Sequence, residues 1–326
     1  MNEKLSDLGE FGLIDRLLAR VPVAGPGVEI GPGRDDAAVL RVADRLLIAT
    51  ADLSIEGRHF DLRFSSPSDI GWKALTVNAS DMAAMGGRPL WALLSIGAPA
   101  STPVERLEGV YDGVAEAARA HEIVIVGGDT VGADMLVVSV ALLGEPGPAG
   151  VVTRAGAKQG DLLCVTGSLG AAAAGLALLR GAADGDEEAR ALLDRFPGLA
   201  QAHRRPVARV REGMAAAEAG ARAMIDVSDG LAQDASHLGR ASGVGVVIED
   251  EVPRAPGVAE VEAWLGRGRL AETGGDDYEL AMAVPPSALD RVRAAIAPTS
   301  LTVCGRFEGP PPAQGHAGWD SFRGSS

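Results

Sequence analysis

The chain is poor in cysteine, aromatics and, above all, lysine. Cys164 and Cys304 are its two cysteines, each inside an apolar run ("DLLCVT", "LTVCGR"), with no CxxC pair and no Cys/His cluster. That spacing argues against a thiolate zinc centre and leaves two buried, reduced thiols as the plain reading. Lysine occurs three times, at Lys4, Lys73 and Lys158, and never after a glycine. The GxxxxGK[ST] phosphate loop is therefore absent, as are the protein-kinase signatures. No apolar run approaches the roughly 20 residues of a membrane-spanning helix. The first residues, "MNEKLSDLGEFG", are acidic and lack the apolar core of a signal peptide, which predicts a cytoplasmic protein. Positive charge is scarce overall. Against 44 Asp+Glu stand 30 Lys+Arg, a net charge of −14, so a nucleic-acid partner is not expected. An acidic excess serves solubility or gathers divalent cations, and clustering decides between the two.

The 326 residues suffice for two domains of about 150 residues each. Leu8, Phe11, Ile14 and Leu18 fall at helical spacing over residues 8–20. A Pro/Gly-rich loop follows, then the strands "AAVLRV" and "RLLIAT". Ser66-Pro67-Ser68-Asp69 signals a helix start, with Pro67 suited to the first helical position, and this helix is predicted to run to about Met85. "LWALLSI" and "IVIV" read as buried strands flanking a helix from about Pro103 to Ala120, and "MLVVSVALLG" reads as a further strand. The Gly/Pro-rich "GEPGPAG" at 144–150 is the best boundary, giving domains 1–149 and 150–326. Beyond it, helices near 207–219, 230–242, 257–270 and 287–296 alternate with strands at 222–227, 244–249, 278–284 and 300–305. Such alternation argues an α/β architecture in both halves.

Four places share one pattern: an apolar run, a small or Gly-rich turn, and an aspartate. They are "GPGRDDAAVL" with Asp35 and Asp36, "LLIATADLS" with Asp52, "IVIVGGDTVG" with Asp129, and "AMIDVSDGL" with Asp226 and Asp229. Ligand sites of α/β folds gather at strand ends, and glycine beside the acid permits close approach. Adjacent residues of an extended segment point to opposite sides, so at most one of Asp35 and Asp36 enters a given site. Asp229 suits either the cap of the helix "DGLAQDASHLG" or, with Asp226 and Ser228, a Mg²⁺ site built from hard oxygen ligands. Asp81 lies among small apolar residues in "VNASDMAAMGG", where an unpaired carboxylate is costly. Shared Mg²⁺ would stabilise its charge, with Asn78, one turn earlier, holding the carboxylate in place.

The motifs "DDAAVL", "DLSIEGRHFD", "VNASDMAAMGGRPLWALLSI", "IVGGDT", "TRAGAKQGD", "IDVSDGL", "GGDDYEL" and "GWDSF" occur in this order across nearly the whole chain. Together they resemble the thiamine-monophosphate kinase family, of the superfamily of aminoimidazole ribonucleotide synthetase. The resemblance implies two α/β domains, each a mixed sheet packed with helices, and a homodimer formed through the N-terminal half. It implies transfer of the γ-phosphoryl group of ATP to thiamine monophosphate with several Mg²⁺ ions. Asp36, Thr50, Asp52, Asp81, Asp129, Asp226 and Asp229 are the implied Mg²⁺ ligands. Tyr111, Gly128, Asp129, Arg154 and Ser228 are the implied nucleotide contacts, and His59, Asp276 and Trp319 the implied substrate contacts. This chain departs from the family pattern at Arg34, at Ala51, at Asp276 (where glutamate is usual) and in lacking an arginine shortly after Thr130. Two other readings stand beside the kinase: a different ATP-dependent synthetase of the superfamily, and a Mg²⁺–nucleotide-binding protein without catalysis.

Overall fold

The structure is a computed structural model that describes residues 5–311, without the side chains of residues 5–9 and 11. Trp319 and the "GWDSF" motif lie outside the described residues. The first half runs α1 (Leu5–Leu18), β1 (Val28–Ile30), β2 (Ala38–Val42), β3 (Arg45–Ile55), α2 (Pro67–Ala84), β4 (Gly87–Ala98), α3 (Val104–Ala120), β5 (Val124–Gly132) and β6 (Val137–Pro146). Its six strands form one mixed sheet in the order β1-β2-β3-β6-β4-β5, with β4 and β5 as the parallel pair. The second half runs β7 (Leu162–Thr166), α4 (Ala171–Ala183), α5 (Glu187–Arg195), α6 (Pro197–Arg204), α7 (Val210–Ala219), β8 (Ala223–Asp226), α8 (Leu231–Ser242), β9 (Val246–Ile248), α9 (Val258–Leu265), α10 (Leu270–Thr273), β10 (Leu280–Val284), α11 (Leu289–Ile296) and β11 (Leu301–Phe307). Its sheet has the order β8-β10-β7-β11-β9, and all its pairings are antiparallel.

Helix α2 begins where Ser66 and Asp69 form a reciprocal capping box, with Pro67 in the first turn. Such a cap contributes about 1 kcal/mol. The small residues of α2 let its neighbours come close. A side chain at Gly113 of α3 would place its Cβ 1.9 Å from the Ser68 carbonyl oxygen. One side of α2 packs on the first sheet through Ile70, Ala74, Leu75 and Met82. Its C-terminal Ala83 and Ala84 pack instead with Met224, Met282 and Ala216 of the second half. The same helix therefore floors one core and roofs another.

Several sequence expectations change. Of the predicted buried strands, β4 is buried on one face only, with Trp91 42% exposed, and β5, at the sheet edge, is exposed along nearly its whole length, with Val126 55% exposed. Helices α2 and α3 cover one side of the first sheet, and nothing among the described residues covers the other. Asp52 and Asp129 sit within β3 and β5 rather than at strand ends. The expected helix over 257–270 is broken into α9 and α10 by Gly266, which is left-handed and caps α9. Two elements went unforeseen: β1, embedded in a Gly/Pro-rich stretch, and α6, which opens on Pro197.

Candidate active site

Consecutive residues on a helix point about 100° apart, so Ser80 and Asp81 of α2 address different neighbours. Ser80 Oγ donates a 2.7 Å hydrogen bond to Asp226 Oδ2 at the end of β8. Thr50 Oγ1 of β3 donates a 2.5 Å bond to Asp81 Oδ2. Asn78 does not hold Asp81: its amide donates to the Ala74 carbonyl at 3.0 Å, because that acceptor lies one turn back on its own helix.

Asp36, Asp81 and Asp226 each present a carboxylate oxygen, and these atoms lie within 4.8 Å of one another. Arg154 balances part of this charge, its Nε standing 3.1 Å from Asp36 Oδ1 and its Nη2 pairing with the same oxygen. Asp36 Oδ2 is buried and has no hydrogen-bond partner. Asp35 turns the other way and accepts the backbone N–H of Arg154. The two adjacent acids thus divide between the Arg154 side chain and its backbone.

Burial raises the Asp226 carboxyl to about 8, and repulsion from Asp36 adds to the shift. Burial also pushes Asp81 well above the usual range, with Asp52, Asp226 and Asp36 adding repulsion. Asp36 is raised by burial although Arg154 opposes the shift, and Asp52 is raised by burial although its bond to Asp81 opposes it. Asp229 is raised to about 7 by burial and by the charge of Glu10. The protein's own cations leave these carboxylates under-neutralised, and a divalent ion would correct that. The donor set fits Mg²⁺. Opposite ligands of an octahedral ion at about 2.1 Å lie about 4.2 Å apart, close to the spacing present here, and an orphaned carboxylate oxygen faces no competing donor.

Asp229 does not cap α8. The helix follows Gly230, and Asp229 accepts from Gln233 Nε2 at 2.9 Å. The work falls to Asp234, one turn inside α8. Its Oδ2 accepts the backbone N–H groups of Ser228, Asp229 and Gly230, each at 3.1 Å. The same loop is tied forward, since the Asp276 N–H donates to the Ser228 carbonyl and the Tyr278 N–H to the Val227 carbonyl.

His59 and Asp276 meet through Lys73. The Lys73 ammonium bonds Asp276 Oδ2 at 2.8 Å and the His59 carbonyl at 3.3 Å. His59 Nδ1 accepts the Ile55 N–H, which places the ring proton of the neutral form on Nε2. Burial alone would raise Asp276, but Lys73, with lesser contributions from His203 and the Tyr278 hydroxyl, holds the carboxyl at about 2. Asp277, the second acid of "GGDD", accepts the Gly170 and Ala172 N–H groups at the start of α4. The Asp276 N–H bonds the Ser228 carbonyl, so the Lys73 cluster adjoins the loop that carries Asp229.

The other implied contacts stand apart from this convergence. Tyr111 is exposed on α3. A Cβ at Gly128 would lie 1.7 Å from the Leu94 carbonyl oxygen, so that position excludes a side chain. Asp129 pairs in register with Ser95, on the uncovered side of the sheet that also carries Trp91 and Leu93. Three strand spacings, about 14 Å, separate β5 from β3. Lys73, Ser80, Asp234 and Asp277 escaped the sequence reading. A lysine inside the apolar run "IGWKAL" was the one available signal.

Comparison with known proteins bears on the whole chain. The N-terminal domain model of AIR synthase related proteins matches residues 34–145, and the C-terminal domain model matches residues 158–312. A thiamine-monophosphate kinase of Mycobacterium tuberculosis (strain ATCC 25618 / H37Rv) is 37% identical over 328 residues, covering 98% of this chain and 93% of that protein. The solved thiamine-monophosphate kinase of Aquifex aeolicus aligns with a TM-score of 0.79 and 32% identity, over 94% of this chain and 96% of that one. AaThiL complexed with AMPPCP and TMP aligns with a TM-score of 0.83 and 32% identity, over 98% of this chain and 99% of that one. By fold, by near full-length similarity and by the order of its motifs, this chain belongs to the thiamine-monophosphate kinase family.

Proposed function

We propose that this protein transfers the γ-phosphoryl group of ATP to thiamine monophosphate, giving thiamine diphosphate and ADP, with Mg²⁺ in the acidic cleft. The observation that carries the reading is the convergence of Asp36, Asp81 and Asp226 beside Arg154. The acceptor is itself a phosphate, so no general base is required. The obstacle is bringing two polyanions together, and Mg²⁺ bound in the cleft offsets that repulsion. Asp36, Thr50, Asp52, Asp81, Asp226 and Asp229 are the residues we assign to hold it. The Arg154 guanidinium offers two parallel donors to a phosphate. Ser228, on the loop that Asp234 anchors, is the residue we assign to the nucleotide, and His59 and Asp276 those we assign to the acceptor.

We further propose a homodimer. The uncovered face of the first sheet exposes Leu53, Trp91, Leu93, Val126 and Val131, an apolar surface suited to a second copy. Asp129, Gly128 and Tyr111 take their implied metal and nucleotide roles in that assembly, and Trp319 its substrate role. The buried free thiols of Cys164 and Cys304 support a reducing, cytoplasmic setting. The test is a product assay on the purified protein with ATP and thiamine monophosphate across a range of Mg²⁺ concentrations. Formation of thiamine diphosphate and ADP is expected, and absence of both at every Mg²⁺ level overturns the reading.

A further inference from the structure

Lys73 is almost fully buried, at 6% exposure, in a chain with three lysines. A buried ammonium persists only where its charge is met. Here Asp276 meets it at 2.8 Å, across 203 positions of sequence. Lys73 stands on α2 of the first half, and Asp276 stands on the loop before β10 of the second. The second bond of Lys73 goes to the His59 carbonyl, on the turn after β3.

Asp276 is held on every side. Its φ is +69° and that of Tyr278 is +52°, left-handed values that cost a non-glycine residue free energy. Such a turn survives only where its surroundings determine it. Tyr278 Oη donates to Asp276 Oδ1 at 2.9 Å, the Ser228 carbonyl takes the Asp276 N–H, and Lys73 takes the remaining carboxylate oxygen. His203 Nδ1 lies 3.8 Å from Asp276 Oδ2, but burial holds that ring's pKa near 3 and leaves it neutral. Among the described residues, Lys73 is the cationic side chain that hydrogen-bonds this carboxylate.

We infer that Lys73 is a positioning residue for the acceptor. By pairing with Asp276 and holding the His59 carbonyl, it fixes two substrate-contacting segments from opposite halves of the chain in one geometry. The inference rests on the thiamine-monophosphate reading. It assigns Lys73 no contact with either substrate and no part in the phosphoryl transfer.

The test measures binding of thiamine monophosphate and of a non-hydrolysable ATP analogue with Mg²⁺ by calorimetry, on wild type, Lys73→Met and Tyr278→Phe. Lys73→Met keeps the length of the side chain and removes its charge. It is expected to weaken thiamine monophosphate by about tenfold or more, while the ATP analogue stays within about twofold. Tyr278→Phe removes the other side-chain donor to Asp276 and is expected to weaken thiamine monophosphate alone, by about threefold to tenfold. If Lys73→Met fails to fold, Tyr278→Phe carries the test. Unchanged affinity for thiamine monophosphate in the folded variants overturns the inference. So does an equal loss for both ligands, which would mark a merely structural role. Wild-type turnover, followed separately, judges the kinase reading. A wild type that binds thiamine monophosphate without phosphorylating it refutes the kinase reading and still tests Lys73. A wild type that does not bind it refutes both.

Discussion

Asp81→Asn separates what the acidic cleft costs from what it does. The carboxylates of Asp36, Asp81 and Asp226 lie within 4.8 Å of one another. At an effective dielectric of about 20, each fully charged pair at that distance repels by about 3.5 kcal/mol. Removing Asp81 deletes two such pairs, about 7 kcal/mol were all three carboxylates fully charged. Protonation relieves much of this in the wild type, as the Asp226 value of about 8 indicates, so a net gain of about 2 kcal/mol at pH 8 is expected. The asparagine oxygen still accepts from Thr50, so no donor is orphaned. For a chain of 326 residues the gain corresponds to a rise of about 3 °C in Tm. The sign follows from linkage. Carboxyls whose folded pKa is raised stabilise the fold fully below their unfolded value, near 4, and lose that contribution as pH rises toward 8. Without metal, the variant's advantage should thus be small at pH 5 and open by pH 8. The assay is thermal unfolding of both proteins with EDTA and with excess Mg²⁺ at those two pH values, alongside turnover. Mg²⁺ should stabilise the wild type far more than the variant, and the variant should lose activity. A variant less stable than wild type in EDTA at pH 8, or one stabilised equally by Mg²⁺, refutes the argument.

Two further outcomes are expected. Asp129→Asn should remove most activity and leave the melting temperature within about 2 °C of wild type, because an exposed side chain rather than a core group changes; unaltered turnover would remove Asp129 from the site. Asp276, held at about 2 against the effect of burial by Lys73 together with His203 and Tyr278, stabilises the fold above pH 4, and that contribution disappears as pH falls toward 2. The full shift is worth about 2.5 kcal/mol, and the partial exposure of the side chain reduces this to about 1–2 kcal/mol. Acid unfolding curves of wild type and Asp276→Asn should therefore converge below pH 2, and curves already coincident at pH 5 would contradict the pairing.

The parts of the fold that were legible in the sequence are those written locally. Ser66-Pro67-Ser68-Asp69 announced α2 because both halves of its capping box lie within four residues. The burial of β4 is not legible because "LWALLSI" looks the same whether one face or both are covered, and that of β5 is not because "IVIV" does not record that the strand lies at the sheet edge. Covering is decided by where α2 and α3 pack, which periodicity does not record. Strand β1 was hidden because three residues between glycines and prolines carry too little pattern. The same division runs through the site. Asp36, Asp81 and Asp226 were readable as acids in improbable places. Lys73, Asp234 and Asp277 were not, because their work depends on partners brought in by folding. Asp277 reaches the start of α4 from 107 positions away, and Asp234, though only six residues from Ser228, accepts N–H groups that become available only once the loop has turned.

A protease cutting at the exposed tip Pro148-Ala149 would sever the chain without separating the pieces. Helix α2 belongs to the N-terminal fragment, yet Ala83 and Ala84 are packed among residues of the C-terminal one. Ser80 would remain bonded to Asp226, Lys73 to Asp276, and Trp72 Nε1 to the Pro206 carbonyl. The nicked protein should migrate as one species on a sizing column and keep its activity. Either fragment produced alone would expose a stripe of apolar surface and tend to aggregate, whereas co-expression of the two would reassemble the enzyme.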